Sequence, residues 1–292
     1  MRLEAILFDV DGTLAETEEV HRRSFNAAFR AAGLDWHWSR DLYRELLAVT
    51  GGKERIGRFL AGLADPPGCD VPALHRAKTE RYTALVAGGA VALRPGVARL
   101  LAEARAAGVR LAIATTTTPA NVAALLAAAL GPEGPALFEV MVAGDAVPRK
   151  KPAPDVYQAV LEAMGLDPAG CIAIEDSRNG VLSARRAGLA VLATPGLYTG
   201  DDDLRHALAV LSDLGEPDAP YRHLGGAGAG EGWVTVEALG RWVEDSAEQG
   251  CRRREPPHPP VAFGAGSLPL PEERGFGAVL PSPLLGERSK SR

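Results

Sequence analysis

The chain has 292 residues, 37 acidic against 32 basic, and a formal net charge of -5 at pH 7. That length can bury a sizeable core, in one large domain or two smaller ones. The acidic balance argues against a general nucleic-acid binder.

Leu3 to Phe8 reads as the first strand, running into Asp9-Val10-Asp11-Gly12-Thr13-Leu14. Alternating side chains start Asp9 and Asp11 on the same side, and Gly12 permits a sharp turn at the strand's C-terminal end, where ligands sit in open α/β sheets. Two carboxylates this close repel, and a bound cation or a shared proton would relieve them. Magnesium suits such an all-oxygen site, and a carboxylate there can also act as a nucleophile. The competing reading is an acidic turn capping the next helix.

Helical patterns follow at about Thr17 to Ala32, Arg40 to Ala48, Lys53 to Leu63 and Val71 to Val86, with no strand between them. Strands and helices then alternate. A helix that Pro95 can start precedes a strand over Val109 to Ala114. Pro119 to Leu130 is helical, and Phe138 to Ala143 is a strand. A helix opened by Pro154 and stopped by Gly165 leads to a strand over Cys171 to Ile174. Helix Val181 to Ala187, strand Leu189 to Ala193 and an edge strand at Leu208 to Leu211 complete the series. The expected fold class is α/β, a Rossmann-like, mostly parallel sheet with right-handed crossovers and an inserted all-helical cap. The core is assigned to 1–14 and 93–246 and the cap to 15–92.

Gly225 to Gly232 reads as a linker and Thr235 to Val243 as a closing amphipathic helix. Residues 247–292 are rich in Pro, Gly, Ser and Arg and are expected to be a disordered tail. In it, Arg252 to Arg254 read as solvated charges in preference to a partner contact. Cys69, Cys171 and Cys251 form neither a disulfide framework nor a zinc knuckle. No signal-peptide pattern or bilayer-length apolar run is seen, so a reducing, cytoplasmic setting without a membrane partner is expected, with the protein as a monomer.

Three further strand ends carry polar groups. Thr115, Thr116 and Thr117 follow a strand, where a hydroxyl and turn amides make a phosphate cradle or an ordinary helix cap. Lys150 and Lys151 precede a Pro-started helix, where one ammonium can face phosphate; position alone does not choose between them. Glu175 and Asp176 end another apolar run and would complete a magnesium site.

Together, D-x-D-G-T, Thr115, the lysine and the paired acids resemble the haloacid dehalogenase superfamily of phosphohydrolases, over about Leu3 to Ser212. The helical insertion is similar to the four-helix cap of the subfamily that includes β-phosphoglucomutase. Phe8 to Arg23, Thr50 to Ile56, Arg76 to Arg81 and Pro195-Gly196-Leu197-Tyr198-Thr199 resemble the superfamily's sugar-bisphosphate phosphatases of the Calvin cycle. That likeness implies a small-molecule sugar phosphate as partner and hydrolysis of the 1-phosphate of xylulose 1,5-bisphosphate.

The resemblance implies roles. Asp9 is the nucleophile and Asp11 the general acid and base, protonated at the first step through coupling to ionised Asp9. Mg2+ is held by Asp9, the Asp11 carbonyl and Asp176, with Glu175 as a direct or outer ligand. Thr115, the Thr116 amide and Lys151 bind the transferring phosphoryl group. Glu16, His21, Lys53, Arg55 and Lys78 are the cap's substrate candidates. Apart from the resemblance, Arg55 and Lys78 read as solvated helix charges, whereas Lys53 follows Gly51-Gly52 at a helix start that suits an anion. A phosphosugar mutase and an inactive binding scaffold are the rival readings.

Overall fold

The computed structural model describes residues 3–226 and 232–252, with side chains to 246. Strand β1 is Ala5–Phe8. Four helices follow it, α1 Glu18–Ala31, α2 Arg40–Leu46, α3 Gly52–Leu60 and α4 Val71–Ala87. The chain continues through α5 Val97–Ala106, β2 Arg110–Ala114, α6 Pro119–Leu130, β3 Val140–Val142, α7 Asp155–Met164, β4 Cys171–Glu175 and α8 Arg178–Arg186. Strands β5 Ala190–Ala193, β6 Ala209–Leu211 and β7 His223–Gly226 and helix α9 Val236–Arg252 complete it.

The strands form one sheet in the order β3-β2-β1-β4-β5-β6-β7, parallel except for β7. β1 lies at its centre. Phe8 sits beside Ile113 of β2 and Ile174 of β4, so the residues that follow each strand leave the sheet at one level. The central strands are apolar because helices cover both faces. Alternation sends Ile6 and Phe8 into one core, with Leu100, Val122 and Leu239. Ala5 and Leu7 enter the other, with Tyr157, Val160 and Val181. Helices α1–α4 have a separate aromatic cluster, including Phe25, Phe29, Trp38 and Tyr43. One of its buried members, Tyr198, comes from the loop after β5.

Arg94, in the strap returning from α4 to the sheet, is buried. Its guanidinium donates to the carbonyls of Gly12, Thr194, Pro195 and Ser212. It thereby pins the turn after β1 to the loops after β5 and β6.

Three expectations need correction. Gly225 and Gly226 are not linker but part of β7, which pairs antiparallel to β6 through backbone bonds that its sequence pattern does not advertise. Gly96 caps α5, so the helix begins at Val97, two residues after Pro95. Helix α9 continues through Arg252, since Glu, Ala and Gln sustain a helix once its apolar face is docked, so residues 247–252 are not a structureless tail. Residues 253–292, with Arg253 and Arg254, lie outside the described residues.

Candidate active site

Four strand ends meet at the C-terminal edge of the sheet. Asp9 follows β1 and Thr115 follows β2; both are buried. The buried Lys151, between β3 and α7, reaches across with its Nζ 2.6 Å from Asp9 Oδ1 and 2.7 Å from Glu175 Oε1. Tyr157, on α7, donates to the same Glu175 oxygen at 2.5 Å. Lys150 points elsewhere, to Asp145 at 2.8 Å and the Gly144 carbonyl, so the geometry selects Lys151 as the lysine of the acidic cluster.

Carboxylate oxygens of Asp9, Glu175 and Asp176 lie within 4.8 Å of one another. Burial, outweighing Lys151 and reinforced by Glu175, pushes the Asp9 carboxyl up to about 7. Burial, with Asp9 and Glu175 beside it, raises Asp176 well above the usual carboxylate range. Glu175 Oε2 is buried without a hydrogen-bond partner. Three carboxyl groups gathered around the single ammonium of Lys151 offer hard oxygen donors of the kind a divalent cation takes. Two glycines make room for the acids. A Cβ on Gly12, whose φ is +84°, would collide with the Asp176 carboxylate, and one on Gly180 would collide with Glu175.

Asp11 is held from the helical side. Thr17 Oγ1 donates to its Oδ1 at 2.5 Å, and His21 Nε2 lies 2.9 Å from the same oxygen. Lys78 Nζ is 2.6 Å from His21 Nδ1. An ammonium only donates, so Nδ1 accepts and the ring proton sits on Nε2, aimed at Asp11. Tyr82 stacks on the imidazole at 4.1 Å and fixes its plane.

Burial would raise the Asp11 carboxyl, but His21, Thr17 and Lys78 outweigh it and hold the group well below its ordinary value. In the free site the partners that stabilise a negative charge gather on Asp11, and Lys151 stands beside Asp9. Burial lowers the Lys78 ammonium to about 8.

Helices α1–α4 and the sheet edge enclose a cavity of about 750 Å³. Asp9, Asp11, Thr115, Thr116, Lys151 and Asp176 line its sheet side. His21, Lys53, Arg55 and Lys78 line the other. Lys78 and Arg55 are buried, which corrects their solvated reading. Arg55 donates to the Tyr43 hydroxyl at 3.0 Å, and that hydroxyl donates to Glu18 at 2.6 Å. Lys53 is paired with Asp145, which lies after β3.

Residues 3–188 match the family model of the haloacid dehalogenase-like hydrolases. The chain belongs to this family. CbbY from Rhodobacter capsulatus is 55% identical over 215 residues, covering 73% of this chain and 95% of the relative. Hexitol phosphatase A from Escherichia coli is 33% identical over 224 residues, 75% of this chain and 97% of the relative. The crystal structure of CbbY from Rhodobacter sphaeroides in complex with phosphate matches with a TM-score of 0.71 at 52% identity, over 72% of this chain and 94% of that one. A mutant of that protein in complex with xylulose-(1,5)bisphosphate gives the same values.

Two predicted residues of this hydrolase stand apart from the cavity. Glu175 lies behind its wall, fully buried. Glu16 turns away, with Arg94 at 3.6 Å and the Leu197 amide donating to it at 3.4 Å. Sequence reasoning missed Thr17, whose hydroxyl is indistinguishable from a helix cap until Asp11 is seen beside it. It also missed Tyr157, His75 on the cavity wall, and the contact of Thr199, which donates to Asp176 Oδ2 at 3.1 Å. The block Pro195 to Thr199 was the signal for Thr199, as a motif without an assigned task. Among the described residues, no helix is long and apolar enough to cross a membrane.

Proposed function

We propose that this hydrolase is a magnesium-dependent sugar-phosphate phosphatase that removes the 1-phosphate of xylulose 1,5-bisphosphate. The observation that carries the reading is the cavity's division of labour. The sheet side presents Asp9 beside Lys151, while the helical side holds Asp11 separately and adds Lys53, Arg55 and Lys78. A ligand with phosphate at both ends fits such a distribution of cations. The xylulose-(1,5)bisphosphate complex of the Rhodobacter sphaeroides relative and the phosphatase named among the relatives support it.

In this reading an Asp9 oxygen bonds to phosphorus as the bond to the sugar oxygen breaks. Asp11 gives that oxygen its proton, relayed from Lys78 through His21: Nδ1 takes a proton from the Lys78 ammonium, 2.6 Å away, as Nε2–H gives one to Asp11, 2.9 Å away. Asp11 then takes a proton from water, whose oxygen attacks the aspartyl phosphate and frees Asp9. Lys151, Thr115 and the Thr116 amide offset the charge of the phosphoryl oxygens, since positioning and charge stabilisation dominate phosphoryl transfer. Asp9, Asp176 and the Asp11 carbonyl would hold Mg2+, with Glu175 behind them. Bound there, the ion supplies Lewis-acid charge stabilisation to the phosphoryl group.

A phosphate-release screen over sugar mono- and bisphosphates, with Mg2+ and with EDTA, tests the reading. Xylulose 1,5-bisphosphate should give the highest kcat/KM, with release abolished by EDTA. No release from any sugar phosphate would favour a binding scaffold. Interconversion of glucose phosphates primed by glucose 1,6-bisphosphate, instead of hydrolysis, would favour a mutase.

A further inference from the structure

The turn Gly196–Thr199 meets Glu16, just before α1, with two residues, the helices α1–α4 with a third and the acidic cluster with the fourth. The Glu16 carboxylate occupies the space beside Gly196, where an added Cβ would meet it at 2.7 Å. The Leu197 amide donates to the same carboxylate. Tyr198 is buried in the aromatic cluster of α1–α4, its ring 5.5 Å edge-on from that of Tyr43, and its hydroxyl donates to Glu19 of α1 at 2.5 Å. Thr199 faces the other way. Its hydroxyl accepts from the Gly196 amide at 2.9 Å and donates to Asp176 Oδ2 at 3.1 Å. The hydroxyl that aims Asp176 is thus positioned by a glycine packed on Glu16.

We propose that Tyr198 and Thr199 are positioning residues that couple the seating of α1–α4 to the cation-holding geometry of Asp176. The proposal rests on the reading of Asp176 as a magnesium ligand. Thr199 occupies one carboxylate oxygen and leaves the other for the ion. Partners behind a ligating carboxylate set its orientation, and their loss costs metal affinity. Displacement of the helical domain pulls on Glu16 and Glu19, shifts the turn, and releases Asp176 from its fixed rotamer. Coupling of this kind is reciprocal, so Mg2+ binding draws the helical domain onto the turn as much as seating favours Mg2+.

Mg2+ affinity of the full chain, measured by titration calorimetry without substrate, tests the proposal. Thr199→Val should weaken Mg2+ binding about tenfold, and Thr199→Ser should restore it. Tyr198→Phe keeps the ring in its cluster and removes only the hydroxyl. It should still weaken Mg2+ binding about fivefold, within the usual span of coupling between sites. In the Thr199→Val background, Tyr198→Phe should add nothing, because the linkage is already cut. Unchanged affinity in either single variant, or losses that simply multiply in the double variant, would overturn the coupling. Asp176→Asn separates the two readings. If it binds Mg2+ like the unsubstituted chain, the metal assignment fails. If it binds weakly while Thr199→Val does not, only the positioning role fails.

Discussion

At the scale of single residues, Asp9 and Asp11 are two apart in sequence and are stabilised by different parts of the molecule. Lys151 serves Asp9, and Thr17 and His21 serve Asp11. Asp9→Asn should lower sugar-phosphate turnover by on the order of a thousandfold or more, since an amide cannot form the covalent intermediate of the proposed reaction. Its circular dichroism and thermal unfolding should stay those of a folded protein. A folded variant with full activity would remove Asp9 as nucleophile. Lys53 makes a different prediction. Its pair with Asp145 is solvent-exposed, so the fold gains little from it. Lys53→Ala should lower kcat/KM for the bisphosphate by roughly tenfold to a hundredfold, the worth of a charge-assisted contact of about 1.5–3 kcal/mol. Hydrolysis of p-nitrophenyl phosphate, which has no second phosphate, should change little. Equal losses on both substrates would place Lys53 in the service of the fold or of the chemistry at Asp9.

At the scale of elements, α3 and α4 meet where His75 abuts Gly52, whose added Cβ would overlap the imidazole. Burial, with Lys78 and Lys53 nearby, pushes His75 from its ordinary 6.5 down to about 4. Between those values the unfolded chain binds a proton that the folded chain refuses, so this residue lowers stability as pH falls through that window. The urea midpoint should therefore drop less from pH 7 to pH 5 in His75→Gln than in the unsubstituted chain, and equal drops would mean that His75 is not held neutral. The elements themselves were largely legible beforehand. β1 and β2 announce themselves as apolar runs closed by polar residues, and α6 matches its expected limits, Pro119 and Leu130, because Thr118 and Pro119 mark its start. β7 was not legible: His223-Leu224-Gly225-Gly226 lacks strand propensity and is placed by pairing with β6. The acids and Lys151 were legible through spacing and strand-end position. Arg94, Tyr157 and Thr199 were not, since their partners lie far away in sequence and only the folded sheet brings them near.

At the scale of the whole molecule, α9 closes the sheet with Leu239 and Val243 buried in the same core as β1. Leu239→Ala should cost about 2–4 kcal/mol, the usual range for an emptied core site. Denaturant unfolding should show that loss while the folded fraction keeps its specific activity; a smaller cost would mean that α9 is dispensable to this core. The sheet order has a consequence for how the enzyme comes into being. Asp9 leaves the ribosome long before the strand that ends in Glu175 and settles directly beside β1. Parallel pairing over such a span is slow, because loop closure must be met before contacts reward it. Until β4 docks, Asp9 lacks the Glu175 and Asp176 carboxylates that lie beside it in the folded chain. A half-made chain therefore lacks the cluster of three acids. The cluster is assembled only when the centre of the sheet closes, so its presence reports on the folding of segments far apart in the chain.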